Sequence, residues 1–501
     1  MQLAGLDIGT TGCKASIFDA DGTLLASINR EYSVDIPHPS WAEQDAENVW
    51  QLAQEALREV IAAARTREVL AIGLSVQGEA LIPVNRDEQA LRPAILGMDT
   101  RTDKQNTWLS EKLGAEFLFE HTGMPVHTIN TLPKLLWLKQ HEPEIWAQAD
   151  RFLLYEDFLI QKMTGQAVIS RCLASRTQLY DILADSWSPK ILETLELEPG
   201  RLATVKPSGV AVSPMRPSLV KSLGLAKAPL IVTGGHDQAC GALGVGLVRP
   251  GLAMVSTGSA EVVEVVLRSP SLNEILYRGN VSVYAHTVER LYLAMTINHS
   301  GGLLLRWFRD TLGQEEQVRA QTADRDAYDL LLQNASLEPT SLLLLPHFAG
   351  SGSPTFDTTS KGAILGMTFA TCKPDLAKAV LEGLTFELRL NLDLLKEGGV
   401  SIDELRAIGG GARSDLWLQL KADITGIPVV VPRLTEAAGW GAALLAGAGA
   451  GYFANAAKTA EDLLHLERRF EPNLARAAHY EARYELYREV YPTLKDIHNR
   501  M

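Results

Sequence analysis

The stretch GLDIGTTGCK, Gly5 to Lys14, places one carboxylate (Asp7), two threonines (Thr10 and Thr11) and three glycines within ten positions. Glycine accepts backbone angles that other residues avoid, so such a stretch is first of all a tight turn. It becomes a phosphate cradle only where its amides converge on an anion. A P-loop is excluded, because it needs Lys and a hydroxyl directly after its second spaced Gly, whereas Gly12 is followed by Cys13 and Lys14. A dinucleotide turn would need a helix at once, but Lys14 to Asp19 is short and runs into the turn Asp19-Ala20-Asp21-Gly22, which predicts a strand. Two more turns share this chemistry. Ser256-Thr257-Gly258-Ser259 lies between two apolar runs, and Gly409-Gly410-Gly411 precedes a probable helix that Ser414 or Asp415 would cap. Gly409-x-Gly411-x-x-Ser414 is a near match to a Rossmann fingerprint. No acid ends the next strand, as NAD would require, and Arg433 leaves an NADP version formally open.

These turns need elements to hold them. The first predicts strand, glycine turn, strand, Asp-Gly turn and a third strand over Thr23 to Tyr32. Asp45 to Arg65 carries apolar residues at Ala46, Val49, Trp50, Ala53, Leu57, Val60, Ile61 and Ala64, one face of a helix with Asp45 as N-cap. VLAIGLSVQGEALIPVN reads as a buried strand ending in Gln77-Gly78-Glu79, polar groups placed to face a cleft. The pattern weakens from Ala174 to Lys227, where Pro, Ser and Arg accumulate and irregular surface structure is expected. It recovers in APLIVTGGHDQACGALGVG. GLAMVSTGSAEVVEVV then repeats the opening arrangement, so the chain reads as duplicated, with a junction near Gly244 dividing 1–244 from 245–501.

Composition narrows the classes. The 501 residues are 46% hydrophobic and 21% charged, ordinary globular usage with length for more than one domain. A net charge of −13 opposes a broad footprint for nucleic acid or anionic membrane while leaving room for a local basic pocket. Cys13, Cys172, Cys240 and Cys372 lack zinc or disulfide spacing and predict reduced, mostly buried thiols. With no basic leader or membrane-length apolar run, cytoplasmic placement is the expectation.

The residues converge on a family. The chain resembles the FGGY carbohydrate kinases, a branch of the actin-like ATPase superfamily that includes glycerol kinase and xylulokinase, over essentially its whole length. The most specific match is Gly362-x-Ile364-x-Gly366-Met367 followed, after seven residues, by Asp375-Leu376-x-x-Ala379-Val380-Leu381-Glu382. Lys134, Trp137, Gln140 and His141 fit a second family pattern from which Ile129 departs. DIGTTGCK, GGHDQACGALG, STGS and GGGARS stand in the family's order. The resemblance implies an α/β fold of two duplicated ribonuclease H-like domains around a central cleft. It implies a sugar- and phosphate-binding N-terminal domain and a nucleotide-binding C-terminal one.

It also implies roles. Asp237 is the base that takes the proton from the sugar hydroxyl, and Asp7 holds Mg²⁺ beside ATP. Thr10, Thr11, Thr257 and Gly258 meet the phosphates, with Lys14 open between a phosphate contact and a solvated strand charge. Gly302, Gly411 and Ser414 line the adenosine side, and Gln77, Gly78, Glu79, Asp99 and Asp237 face the sugar. His236 is expected to be a hydrogen-bonded cleft histidine, and Glu382 a structural pair. Gly78 stands where glycerol kinases usually carry Arg, and Gly97 where relatives tend to have Trp. Both changes remove bulk, so the pocket is expected to exceed what glycerol needs while Glu79, Asp99 and Asp237 accept from several hydroxyls. The expected reaction is ATP-dependent phosphorylation of a pentulose such as xylulose. The alternatives are a longer polyol, a sugar acid, or a noncatalytic sugar sensor on the same fold. The expected partner is the small sugar or polyol, without nucleic acid or membrane; a homodimer is compatible with the family, and the sequence leaves the oligomeric state open.

Overall fold

The computed structural model describes residues 1–336, 338–434 and 436–501. The chain opens with strands β1 (Gln2–Ile8), β2 (Gly12–Asp19) and β3 (Leu24–Glu31), joined by the two predicted turns. Helix α1 (Ala46–Ala63) follows, and its N-cap Asp45 accepts from the amides of Glu47 and Asn48 at 2.9 and 3.1 Å. Its apolar face buries Val49, Leu57, Val60 and Ile61. At about 1.5–3 kcal/mol per buried aliphatic side chain, that burial outweighs the cap, which contributes about 1 kcal/mol. Strands β4 (Ala71–Val76), β5 (Ala211–Pro214) and β6 (Leu230–His236) complete the sheet, and α2 (Asp237–Gly244) leaves its end. The strand order is β5-β6-β4-β1-β2-β3, with β6, β4 and β1 parallel and β2 turning back on β1.

The second half repeats this plan. Its strands are β7 (Gly251–Thr257), β8 (Glu261–Leu267), β9 (Ser282–Ala285) and β10 (Tyr292–Asn298), followed by α3 (Gly302–Leu312) and the long helix α4 (Lys373–Glu397). Then come β11 (Ile402–Gly409), α5 (Asp415–Thr425), β12 (Val429–Pro432), α6 (Ala437–Gly449) and β13 (Leu466–Phe470). The order is β9-β10-β8-β7-β11-β12-β13. Here β7, β11 and β12 run parallel and β8 turns back on β7, so β7 and β8 correspond to β1 and β2.

Chain order and packing part company at two helices. Helix α6, from the C-terminal half, lies on β1, β4 and β6 of the first sheet and against α2. Ala239, Ala242 and Val245, on α2 and just beyond it, pack with Leu252, Met254, Val266 and Tyr284 of the second sheet. Small residues make this close approach possible. A Cβ built at Gly5 or Gly73 would come within 2.0 Å of the carbonyl of Gly439 or Ala442, and one at Gly441 within 1.9 Å of the carbonyl of Cys240. Only bare backbone fits there.

The stretch from 174 to 227 holds short elements, such as strands Tyr180–Asp181 and Ser186–Trp187 and helix Pro189–Leu195. Cys13, Cys172 and Cys240 are buried and Cys372 is exposed. Among the described residues no helix is long and apolar enough to cross a membrane.

Candidate functional site

The first hairpin is braced from outside. Asp7 pairs with Lys14 across β1 and β2, and the turn closes with the Gly9 amide donating to the Gly12 carbonyl at 2.9 Å. The Tyr32 hydroxyl donates to the Gly9 carbonyl (2.7 Å) and the Gln44 amide to the Thr10 carbonyl (2.9 Å). Gln77 joins this brace: its amide donates to Gln44 Oε1 (3.1 Å) and its Oε1 accepts from the Thr10 hydroxyl (3.3 Å). Gln77, expected at the sugar, therefore holds the turn. Thr11 stands exposed at the tip.

Lys14 takes neither expected role. Its ammonium pairs with Glu436, immediately before α6, at 2.9 Å, and so ties the hairpin to the second half of the chain. Asp7 Oδ1 accepts from the Ser75 hydroxyl at 2.6 Å. Burial raises its pKa, opposed by that hydrogen bond and by the Lys14 charge.

Asp237 is the first residue of α2, with His236 as N-cap. Its Oδ1 accepts from the Gln238 amide at 2.7 Å, so it caps its own helix. The side chain is still 29% exposed and available to a ligand. Its pKa is pushed up to about 7, first by burial and then by the like charge of Asp7. Two carboxylates close enough to repel cannot ionise as easily as one, and a carboxylate poised near neutrality is suited to accept a proton.

The loop after β4 carries the residues expected to face the sugar. Glu79 has φ +58°, an uncommon backbone state for a non-glycine residue, and its carbonyl is held by Lys134 Nζ (2.9 Å) and the Thr131 hydroxyl (3.2 Å). Its Oε1 accepts from Arg176 at 2.6 Å. A Cβ at Gly97 would lie 3.6 Å from Glu79 Oε2 and 3.5 Å from Ile129, ordinary contact distances, so one carbon fits there beside that carboxylate. Gly78 has no such room. A Cβ there would fall 2.7 Å from Cδ2 of His236, whose ring already fills the volume. The enlargement expected from Gly78 is thereby corrected.

Asp99 is also reassigned. It is fully buried, Oδ2 accepts from the Ala42 amide (2.6 Å), and both oxygens accept from Arg101, which stacks 3.7 Å over Trp41. With both oxygens engaged, it anchors Arg101 instead of receiving a sugar hydroxyl. Glu382 is the expected structural pair, accepting from the Thr340 hydroxyl (2.6 Å) and from Tyr480 (2.9 Å).

On the second hairpin Thr257 is buried, donates to Glu261 (2.7 Å) and accepts from Lys421 Nζ (2.9 Å), while Lys421 also pairs with Glu261. Its hydroxyl is committed to a buried ion pair and unavailable to phosphate, contrary to expectation. The Gly258 amide closes the turn on Ala260 (2.9 Å), and the Gly258 carbonyl accepts from the Gly302 amide at the start of α3 (2.8 Å). A Cβ at Gly411 would meet Thr257 Cβ at 2.7 Å, so the loops at 258, 302 and 411 converge. Ser414 caps α5 by accepting from the Trp417 amide at 3.3 Å. The exposed hydroxyl on this turn belongs to Ser259.

Sequence reasoning missed Arg176, Glu264 and Tyr284. Arg176 is 1% exposed, and its guanidinium lies 4.7 Å over the Tyr284 ring. Tyr284 donates to Glu264 Oε1 at 2.7 Å, and burial pushes Glu264 up to about 8. Arg176 sat in a stretch without periodicity, Glu264 on a strand read only for its alternation, and Tyr284 in a stretch that carried no motif. No local signal marked them.

Two family patterns cover most of the chain: the N-terminal domain of the FGGY family of carbohydrate kinases matches residues 2–244, and its C-terminal domain matches residues 253–450. The chain is 30% identical to the xylulose kinase of Bacillus subtilis, over 99% of its own length and 98% of the relative's. It is 31% identical to the xylulose kinase of Escherichia coli K12, over 98% of each. A solved structure from Brucella ovis, described as a xyloylose kinase, superposes with a TM-score of 0.91 at 27% identity, covering 99% of this chain and 100% of that one.

Proposed function

Because the chain belongs to the FGGY family of carbohydrate kinases and is an ATP-dependent sugar kinase, we propose that it transfers the γ-phosphoryl group of ATP to a hydroxyl of a pentulose, with xylulose the first substrate to test. The observation that carries the site assignment is Asp237, whose side chain is largely buried but still 29% exposed, with its pKa raised to about 7 by burial and by Asp7. Asp237 takes the proton of the sugar hydroxyl, the sugar oxygen forms a bond to the γ-phosphorus, and the bond to the β-phosphate oxygen breaks to release ADP. Orienting the nucleophile in line is most of what such a site supplies. Glu79, clamped by Arg176, accepts from a sugar hydroxyl in the space that Gly97 leaves. Thr10, Thr11 and Ser259 face the phosphates. Gly302, Gly411 and Ser414 belong to the adenosine wall.

Asp7 is the residue that would hold Mg²⁺. It is a buried carboxylate whose charge is only partly offset, which suits a cation, and Mg²⁺ uses one or two carboxylates plus phosphates and water. When bound, the ion neutralises charge on the phosphates. The assignment of sugar and phosphate binding to 1–244, of nucleotide binding to 245–501, and of a cytoplasmic enzyme without nucleic-acid or membrane partners belongs to the same proposal, with which a homodimer is compatible. Its support is the duplicated fold and the net charge of −13.

A coupled ADP assay over ketoses, polyols and sugar acids tests the reading. ADP release is expected to depend on added sugar, with five-carbon ketoses fastest. Asp237→Asn is expected to lower the sugar-dependent rate by about 10²–10⁴-fold with ATP binding retained. A fully active Asp237→Asn enzyme would assign the base elsewhere, and glycerol outrunning every larger sugar would overturn the pocket.

A further inference from the structure

His236 stands between the sugar loop and the base, where the chemistry described so far gives it nothing to do. A Cβ added at Gly78 would meet its ring at 2.7 Å (Cδ2) and 2.9 Å (Nε2), so the imidazole occupies the side-chain volume that position 78 leaves empty. The ring is buried and meets Tyr284 edge-on, with centroids 5.8 Å apart and planes at 82°. Nε2 lies 3.4 Å from Asp237 Oδ1. Nδ1 is buried with no hydrogen-bond partner among the described residues.

We infer that His236 is a positioning and specificity-determining residue: presented from β6, it supplies the pocket wall that Gly78 lacks and holds the Asp237 carboxylate through Nε2. The inference rests on the reading of Asp237 as the base. A side chain kept for packing alone would leave no buried nitrogen without a partner, because an aromatic hydrocarbon would fill the same volume. The ring is neutral, since burial and the Arg176 charge hold its pKa well below the usual histidine range. A neutral ring protonated on Nε2 donates toward Oδ1, and such bonds are long without substrate and shorten in the reacting complex. A hydrogen bond to the charged form of a carboxylate favours that form. The charged groups that face Asp237 are Asp7, Glu79 and Arg176, and Glu264 from the second sheet.

The wall and the base are thus linked. Whatever enters at position 78 must displace the ring that orients Asp237, so sugar fit and proton transfer are coupled through one side chain. Position 78 is closed from β6, whereas position 97 accepts a carbon at ordinary contact distance from Glu79 Oε2, and that asymmetry directs a longer substrate toward Glu79 Oε2.

A double-mutant cycle tests this, with steady-state constants for sugar and ATP and the pH dependence of kcat/KM. Gly78→Ala is expected to raise the sugar KM about tenfold while leaving the ATP KM within about twofold. In the His236→Ala background the same Gly78→Ala change is expected to cost less than about twofold, because the volume is then vacant. His236→Ala alone is expected to raise the sugar KM and move the acid limb upward, and His236→Gln, which keeps an N–H donor, to bring the limb partly back. Equal cost of Gly78→Ala in both backgrounds, or a His236→Ala enzyme with unchanged sugar KM and acid limb, overturns the inference. Should Gly78→Ala not fold, the His236→Ala and His236→Gln pair decides it on the acid limb. Asp237→Asn, run in parallel, reports on the base assignment: full activity there sinks the parent reading, whereas its loss alongside an additive cycle sinks only the role of His236.

Discussion

The hairpins β1–β2 and β7–β8 share a topology, yet their threonines have opposite fates. On the first, Thr11 is exposed and the acid, Asp7, lies on the strand beside it. On the second, Thr257 is sealed into the Lys421–Glu261 pair, and the acid, Glu261, answers an ammonium within its own domain. The first turn is braced by neutral side chains, Tyr32, Gln44, Gln77 and Tyr155, and the charges at Asp7 and Asp237 are only partly offset, by Lys14 and Arg176. The second is braced by opposite charges that cancel locally. Duplication thus supplied two equivalent frames, and charge neutralisation made one a structural clamp while the other kept its carboxylates reactive.

The sharpest way to test that contrast is to cut the buried pair. Lys421→Met leaves Glu261 buried and uncompensated, and removing one member of such a pair costs roughly 3–5 kcal/mol. Urea unfolding monitored by circular dichroism should show this loss. A loss below about 1 kcal/mol would mean that the clamp is ornamental.

An effect of opposite sign is expected at the first site. Asp237 has a raised pKa in the folded state, so its ionisation opposes folding. The folded form binds the extra proton between about pH 4 and pH 7, and stability falls across that window as pH rises. Asp237→Asn should therefore stabilise the protein by up to about 4 kcal/mol at pH 8 and leave it nearly unchanged at pH 4, while lowering turnover by about 10²–10⁴-fold. Melting temperatures at the two pH values check the sign. The acid limb of kcat/KM in the unaltered enzyme should lie near pH 7, the value toward which burial and Asp7 push the base.

The smallest effect belongs to Lys14, about a third exposed and paired with Glu436. Lys14→Met is expected to cost less than about 1 kcal/mol in stability, in contrast to Lys421→Met. Equal losses from the two lysines, measured by the same unfolding series, would erase the distinction between the hairpins.

Much of this was legible in order along the chain. The Asp45 cap, the Gly9–Gly12 turn, the Ser414 cap and the repeated strand-turn-strand all follow from local backbone requirements, which depend on near neighbours. Asp7 and Asp237 could be singled out because family patterns mark them. What could not be read was which polar group each side chain would meet. Thr257 and Thr11 look alike in sequence, and only the arrival of Lys421 from a helix more than a hundred residues later separates them. Asp99 resembled a sugar ligand until Arg101 and the Ala42 amide claimed it.

The exchange of helices between the halves has the same origin. α6 carries the small residues that let it settle on the first sheet, but a sequence shows small residues without showing what approaches them. Sequence by itself determined the turns, the caps, the duplicated order of strands and the acids available to the reaction, because those depend on local conformation and residue type. Tertiary structure alone decided that His236 fills the place of a side chain at Gly78, that Arg176 clamps Glu79, and that Asp7 raises the pKa of Asp237. Desolvation and Coulomb interaction depend on distance in space, and folding brings together groups that the chain keeps far apart.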